Sequence, residues 1–292
     1  MEIESLISKL QTLKNRNLFF IVGMAKSGTT WLMHALNGHS NVSCSGEDQW
    51  EHLLPHIKPL CLRYNQHVQV AEPNREKKSN PFLYTKERRE ELMQFVILQL
   101  FLAQLENSDS QFLGSKQPKL WQFIGGVHSL LPSARFINII RDGRDVAVSM
   151  RRHNERVGGS VWLRDIESIP DFVGSVGSDW MRTQRALREF GSYHPHNYFE
   201  VRYEDLLCNF EIEICRVLDF IGASRDRTDI EACRVSGSFE RLSGRKRGYE
   251  DVTSFYRKGV SGDWRNVFDQ DCRNAFIASG ALKYMKEFGY ED

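Results

Sequence analysis

A short apolar segment followed by a glycine-rich loop constrains the fold of this chain more than any other feature. Residues 18–22 read Leu-Phe-Phe-Ile-Val, and Gly23 ends the run. A strand without a polar face is typical of a parallel sheet that helices cover on both sides. After the Ser27-Gly28 turn, the pattern of residues 29–36 predicts a helix. The segment therefore predicts a buried strand, a P-loop-like phosphate-binding loop and a helix.

Further segments repeat this alternation. Apolar runs predict strands at residues 112–114, 135–140 and 198–201, and helices are predicted over residues 2–14, from about Arg144, and over 204–219. Alternating strands and helices predict an α/β fold with a central, mainly parallel sheet flanked by helices. In such sheets, ligands bind beyond the carboxyl ends of the strands. Because no repeat or low-complexity linker interrupts the chain, we expect one domain over residues 1–292.

The composition is that of a globular protein. Of the 292 residues, 41% are hydrophobic and 26% are charged, which excludes a disordered, collagen-like or coiled-coil chain. Lys and Arg number 39 against 38 Asp and Glu, so the formal net charge is +1. This balance argues against a nucleic-acid partner, since a broad nucleic-acid-binding surface needs a basic excess. It does not exclude a local cationic pocket.

The sequence also predicts a cytoplasmic location, with no membrane partner and no metal. The acidic start lacks the features of a signal peptide, and the most apolar stretch, residues 95–105, is too short to span a bilayer. None of the six cysteines forms a C-x-x-C pair, so we expect reduced, mostly buried thiols rather than a zinc site. These cysteines are Cys44, Cys61, Cys208, Cys215, Cys233 and Cys272.

The first loop carries residues suited to an anion. Gly23 and Gly28 have the spacing of the nucleotide-binding pattern G-x-x-x-x-G-K-[ST], but Thr29 stands where its lysine belongs, and Lys26 lies inside the loop instead. Backbone N–H groups at a helix start, with a lysine beside them, favour phosphate. The displaced lysine weakens a kinase or ATPase interpretation. A plain strand-to-helix turn is the alternative.

Two further segments are rich in cations. Arg141 directly follows a predicted strand, and Ser149 lies eight residues further on, so both can reach one phosphate. A local ion pair between Arg141 and Asp142 is the alternative. Residues 241–258 contain six cations and two acids, with glycines at 248 and 259 that would let a lid fold over a nucleotide. A solvated basic loop is the alternative here.

Together these segments resemble the sulfotransferases that use 3′-phosphoadenosine 5′-phosphosulfate (PAPS). Residues 25–31, Ala-Lys-Ser-Gly-Thr-Thr-Trp, resemble the family's 5′-phosphosulfate loop, and residues 140–149 resemble its 3′-phosphate segment. Residues 257–264, Arg-Lys-Gly-Val-Ser-Gly-Asp-Trp, resemble the C-terminal signature of the cytosolic class. The three motifs occur in the family's order. The resemblance implies a single α/β domain that binds PAPS as the sulfuryl donor and releases the bisphosphate PAP, with no metal.

The resemblance also implies which residues bind the nucleotide. The 5′-phosphosulfate loop includes Lys26, Ser27, Gly28, Thr29 and Thr30. Trp31 would stack on adenine, although core packing is an alternative role, and Tyr203 would contact the nucleotide. The residues that would hold the 3′-phosphate are Arg141, Ser149, Arg257, Lys258 and Gly259.

The general base is the point at which this chain departs from the cytosolic pattern. Sulfuryl transfer needs a proton acceptor and cations to stabilise the leaving phosphate. Lys26 and Lys116 match the cations, but Pro118 stands where the cytosolic members have histidine. Tyrosylprotein sulfotransferases use a glutamate after the first helix, and Glu47 has that place here. We therefore predict Glu47 as the base, in a partly buried setting, rather than a surface acid. The fallback bases are His39, His52 and His56.

The predicted reaction is transfer of the sulfuryl group to a hydroxyl or amine of a small-molecule acceptor. Alternatives are a protein-tyrosine acceptor, a nucleotide kinase, or a nucleotide-binding protein without activity. We expect residues 48–90 and 153–180 to line the acceptor pocket. Their aromatic residues include Trp50, Tyr64, Phe82, Tyr84, Trp162 and Phe172. The K-x-x-x-T-V dimer motif of cytosolic members is absent, so the oligomeric state stays open.

Overall fold

The computed structural model describes residues 3–47, 52–71, 82–105, 107–158 and 168–290. The strands are β1 Asn17–Val22, β2 Val42–Ser45, β3 Phe112–Lys116, β4 Arg135–Ile140 and β5 Tyr198–Arg202. The helices are α1 Ile3–Lys14, α2 Thr29–Leu36, α3 Leu54–Ala71, α4 Lys86–Leu105, α5 Ile124–Leu130, α6 Gly143–Arg156, α7 Ile169–Tyr193, α8 Tyr203–Cys208, α9 Phe210–Ile221, α10 Arg227–Ser236, α11 Phe239–Ser243, α12 Gln270–Ala278 and α13 Ala281–Glu287. Short 3₁₀ turns cover Pro118–Gln122 and Asp263–Asn266.

The strands form one parallel sheet in the order β2-β3-β1-β4-β5. The central strand, β1, pairs on one side with β3, where Ile21 lies opposite Lys116, and on the other with β4, where Val22 lies opposite Asn138. The prediction of an α/β fold with a mainly parallel sheet is confirmed. β2 and β3 lie on one side of β1, whereas β4 and β5 lie on the other. The connections therefore leave β1 in opposite directions, which opens a crevice at the carboxyl end of that strand.

Helices cover both faces of the sheet, which explains why the predicted strands have no polar side. Phe19 and Phe20 of β1 point to opposite faces, and each is at most 1% exposed. Phe20 stacks on Phe136 of β4 with ring centroids 5.2 Å apart and packs beneath α4. Phe19 belongs to the cluster beneath α2 and α9. This two-sided core fixes where the carboxyl ends of β1, β3 and β4 lie.

Two elements differ from the sequence expectation. The helix predicted over residues 204–219 is divided into α8 and α9, because Asn209 has φ −132° and ψ 48° and so leaves the helical conformation. The edge strand β2 was not predicted: it is only four residues long, and its two serines interrupt any apolar run. The predicted helix over residues 29–36 coincides with α2.

No disulfide joins the six cysteines, all of which lie in the described ranges, and the thiols of Cys44, Cys61, Cys233 and Cys272 are buried. In the ranges described above, no helix is both long and apolar enough to cross a membrane. The apolar stretch of residues 95–105 forms the second half of α4 and packs into the core through Ile97 and Phe101.

Candidate functional site

The loop between β1 and α2 turns sharply at two residues with positive φ. Gly28 has φ 105°, and Lys26 has φ 71°, a conformation that residues other than glycine seldom adopt. The Arg141 guanidinium at the end of β4 donates from Nη1 to the Lys26 carbonyl oxygen at 3.2 Å. Such backbone strain persists where the surrounding structure holds it, and it is common at binding sites.

Gly28 cannot be replaced without conflict. A Cβ at this position would lie 2.6 Å from Cδ2 of the Tyr203 ring. We expect Gly28→Ala to lower the free energy of unfolding by about 1–3 kcal/mol, because strain and overlap add. Urea unfolding measures this loss. The control is Gly125→Ala in α5, where a Cβ would meet nothing within 4 Å and helix propensity favours alanine. Equal stability of the two variants would contradict the role assigned to Gly28.

Three side chains meet beyond β2 and β3. The Lys116 ammonium lies 2.6 Å from Oε1 of Glu47 and donates to Oγ1 of Thr30 at 3.2 Å. The side chain of Lys116 is 7% exposed, whereas that of Glu47 is 53% exposed. Glu47 therefore lies at the rim of the crevice and is less buried than the sequence led us to expect. The ion pair fixes its carboxylate beside the phosphate loop.

The Lys26 side chain lies over the ring of Phe255, with Nζ 4.4 Å from the ring centroid. Burial, together with the positive charge of Arg156, lowers the pKa of Lys26 to about 8, although Glu47 acts in the opposite direction. The ammonium therefore titrates near physiological pH. An anion that binds beside Lys26 would favour the protonated ammonium and so raise its pKa.

Arg141 joins the phosphate loop to the C-terminal part of the chain. Its Nη2 donates to the carbonyl oxygen of Val260 at 3.1 Å, and its guanidinium carbon lies 4.5 Å from the ring centroid of Tyr203. The carboxylate of Asp145 is 3.9 Å from the same Nη2 atom. These contacts hold the guanidinium at the carboxyl end of β4, as the sequence predicted. The alternative of an ion pair with Asp142 is wrong, because Asp142 pairs with Arg144 instead, at 2.9 Å.

Asp145 anchors the C-terminal loop on the start of α6. Its carboxylate accepts hydrogen bonds from the backbone N–H groups of Gly262, at 2.6 Å, and Trp264, at 3.0 Å. Burial raises the pKa of this carboxyl group, while Arg141 and the two N–H donors act in the opposite direction. No local pattern predicts this role of Asp145, because Asp145 and Gly262 are 117 positions apart in the sequence.

The two cations of the C-terminal loop are paired with acids. Nζ of Lys258 lies 2.7 Å from Oδ1 of Asp263, and Arg257 forms ion pairs with Asp263 and Glu250. The side chain of Asp263 is 5% exposed. An anionic ligand that binds Arg257 and Lys258 would have to share these cations with the carboxylates or displace the carboxylates.

Aromatic side chains form another part of the wall. Trp31, in the first turn of α2, donates from Nε1 to the carbonyl oxygen of Gly237 at 2.6 Å. Its ring meets that of Tyr203 edge to face, with centroids 5.2 Å apart. Phe239, at the start of α11, lies along the same cavity. Such a surface suits a flat heterocycle as well as it suits core packing.

Most of these groups line one cavity of about 490 Å³. Of the predicted site residues, those that line it are Lys26, Gly28, Thr29, Thr30, Trp31, Glu47, Arg141, Ser149, Tyr203, Arg257, Lys258 and Gly259. Lys116 lies behind this wall, in contact with Thr30 and Glu47. Ser27 is fully buried, and its hydroxyl has no hydrogen-bond partner among the described residues.

Other residues in the same wall were missed or placed elsewhere. His153 lines the cavity, and nothing in a lone histidine on an amphipathic helix points to this place. The fallback bases do not line it. His39 is buried and contacts Ser224 and Asp229, while His52 and His56 are exposed. Of the aromatic residues expected near the acceptor, Phe172 lies in the core behind α6, and Trp50 and Trp162 lie outside the described residues.

Comparisons with known proteins agree with this architecture. The sulfotransferase family model matches residues 19–227. Rat sulfotransferase 1A1 is 29% identical over 162 residues, which cover 48% of this chain and 54% of that protein. Zebrafish protein-tyrosine sulfotransferase 1 is 26% identical over 209 residues, covering 71% of this chain and 54% of that protein. The chain thus spans about half the length of the curated relatives it matches.

Solved structures share the fold at low identity. Mouse sulfotransferase SULT7A1 complexed with PAP has a TM-score of 0.56 at 16% identity, over 92% of this chain and 85% of that one. The sulfotransferase domain from the curacin biosynthetic pathway has a TM-score of 0.53 at 16% identity, over 94% and 98% of the two chains. Because the family model runs from β1 to the start of α10, through every strand that ends at the cavity, this chain belongs to the sulfotransferase family.

Proposed function

We propose that this chain transfers the sulfuryl group of PAPS to a hydroxyl or amine of a small-molecule acceptor and releases PAP. The observation that carries the proposal is the gathering of cations from distant parts of the sequence around one cavity, with a carboxylate at its rim. The cations that line it are Lys26, Arg141, Arg257 and Lys258, with Lys116 behind the wall in contact with Glu47, and the carboxylate is Glu47. The proposal takes residues 1–292 as one sulfotransferase domain in the cytoplasm.

The polar residues of the cavity can be assigned to the two ends of a bisphosphorylated nucleotide. In the proposal, the phosphate loop holds the 5′-phosphosulfate through backbone N–H groups, Lys26 and the hydroxyls of Thr29 and Thr30. Arg141 and Ser149 hold the 3′-phosphate together with the residues of the C-terminal loop, which are Arg257, Lys258 and Gly259. Ser27 contributes its backbone, since its side chain is buried away from the cavity. Adenine lies against Trp31, beside Tyr203.

The proposed catalytic groups are Glu47, Lys26 and Lys116, of which Lys116 contacts both Glu47 and Thr30 of the phosphate-binding segment. Glu47 removes the proton of the acceptor as its oxygen or nitrogen forms a bond to sulfur. The bond between sulfur and the 5′-phosphate oxygen breaks, and its electron pair stays on that oxygen. Lys26 and Lys116 stabilise the charge that develops there. Pro118 stands at the place of the cytosolic histidine, and its side chain has no atom that can accept a proton, so in the proposal the chain depends on Glu47.

The pKa of Lys26 gives a pH dependence. Because burial lowers this pKa to about 8, the ammonium is charged below that pH and loses its proton above it. We expect the affinity of the free protein for PAP to fall as pH rises through about 8. Calorimetric titration across this range measures the fall. In Lys26→Arg the guanidinium stays charged, so the affinity for PAP should stay nearly constant over this pH range. If the PAP affinity of Lys26→Arg fell with pH as it does in the wild type, the fall could not be assigned to Lys26.

The test of the function is release of PAP from PAPS across a panel of phenols, alcohols and amines. We expect PAP to accumulate only when a suitable acceptor is present. PAP release that no acceptor stimulates would sink the proposal. ATP with magnesium serves as the comparison, because consumption of ATP instead would favour the kinase, whose loop lysine is missing here.

A protein-tyrosine acceptor is the second candidate. Glu47 is the specific observation in its favour, since the resemblance places the catalytic glutamate in the tyrosylprotein branch. The match to zebrafish protein-tyrosine sulfotransferase 1 covers 71% of this chain. A tyrosine-containing peptide in the acceptor panel distinguishes the two candidates.

A further inference from the structure

One face of α6 continues beyond the residues that the proposed donor would use. Ser149 and His153 are four residues apart, and Arg156 follows three residues later, so all three lie on the same side of the helix. Ser149 and His153 line the cavity. The face therefore leads from the proposed 3′-phosphate site to a second pair of polar groups.

Arg156 and His153 act together. Nη2 of Arg156 lies 3.0 Å from Nδ1 of His153, and because arginine can only donate, the imidazole accepts at this nitrogen. Burial and the charges of Lys26 and Arg156 hold the pKa of His153 below its ordinary value. A neutral imidazole that accepts at Nδ1 carries its proton on Nε2. The pair therefore offers a guanidinium and an imidazole N–H to a ligand.

The charge of Arg156 is not compensated within the described part of the chain. Its neighbours on α6, Arg151 and Arg152, both pair with Glu155, at 2.9 and 3.0 Å, whereas no described carboxylate lies within ion-pair distance of Arg156. The Arg156 side chain is exposed and does not itself line the cavity, but it contacts His153, which does, and its positive charge contributes to lowering the pKa of Lys26. The side chains that line the cavity include one acid, Glu47, among the described residues.

We propose that the acceptor carries an anionic group, which Arg156 and His153 bind beside Glu47. A hydroxyl or amine on the same molecule would then reach the Glu47 carboxylate, while the anionic group neutralises the positive charge of Arg156. The donor does not need this pair, because Arg141, Arg257 and Lys258 already face its 3′-phosphate in the proposed arrangement and Lys26 faces its 5′ end. This inference rests on the proposed sulfuryl transfer and names the acceptor class for it.

The test is calorimetric titration of the PAP-saturated protein with matched acceptors. The probes are a hydroxylated phenylacetate and a hydroxylated octanoate, each compared with its neutral carboxamide. We expect the wild type to bind at least one carboxylate about tenfold more tightly than its amide, as a charge-assisted hydrogen bond allows. Arg156→Gln should bring that ratio close to one. The control is Arg152→Gln, which removes a paired arginine from the same helix and should keep the ratio.

Several results would overturn the inference. These are no binding of either carboxylate, equal affinity for carboxylate and amide, or a ratio that Arg156→Gln leaves unchanged. An Arg156→Gln variant that instead weakens PAPS relative to PAP would mean that Arg156 contacts the donor's sulfuryl group. Release of PAP with neutral acceptors would then leave the proposed function standing. Conversely, a carboxylate preference without any PAP release would contradict the proposed function and not the anion site.

Discussion

Glu47→Gln is expected to lower kcat by about 100- to 10,000-fold, the range in which general-base catalysis contributes. The substitution keeps the shape of the side chain and an oxygen that can accept from Lys116, whose ammonium lies 2.6 Å from Oε1. It removes the ability to take a proton. Steady-state kinetics with a responsive acceptor measures kcat, and calorimetry measures PAP affinity, which we expect to stay near that of the wild type.

The matched control for this variant is Glu90→Gln. Glu90 also pairs with a lysine, since Nζ of Lys86 lies 3.8 Å from its Oε1, but the pair is on the exposed side of α4. Glu90→Gln should leave kcat near the wild-type value. Wild-type turnover by Glu47→Gln would show that Glu47 is not the base. The next candidate would then be His153, which lines the same cavity.

The second large effect concerns the C-terminal loop. Arg257→Ala and Lys258→Ala should each weaken PAP binding by about 10- to 100-fold, because a hydrogen bond to a charged group contributes about 1.5–3 kcal/mol. Both side chains line the cavity and now pair with Asp263. Binding of adenosine 5′-phosphate, which lacks the 3′-phosphate, should change little. Competition titrations with the two nucleotides give the ratio.

Lys246→Ala is the control for this pair. It removes an exposed cation from the same loop that does not line the cavity. We expect it to bind both nucleotides as the wild type does. If Arg257→Ala weakened both nucleotides equally, these cations would support the loop as a whole and would not recognise the 3′-phosphate.

The sequence predicted the framework of the site well because strong local signals encode it. The apolar run of β1 and the following glycines determine a buried strand and a phosphate loop, and Gly28 indeed takes the positive φ that such a turn needs. Arg141 could be placed because it directly follows the apolar strand β4. Residues at the ends of neighbouring parallel strands meet by topology alone.

Other features depend on tertiary contacts that no local pattern encodes. Asp263 pairs with Arg257 and Lys258, and Asp145 bonds to Gly262, only because α6 and the C-terminal loop pack together. The burial of Ser27 likewise follows from how its loop sits on the core. The exposure of Glu47 could not be read from the acidic residues around it.

The most direct test of the central claim follows a radiolabelled sulfuryl group from PAPS to the acceptor in one reaction with PAP formation. We expect the wild type to form one labelled acceptor for each PAP, and Glu47→Gln to lose both products together. PAP formed with the label released as free sulfate, whatever acceptor is supplied, would contradict the central claim.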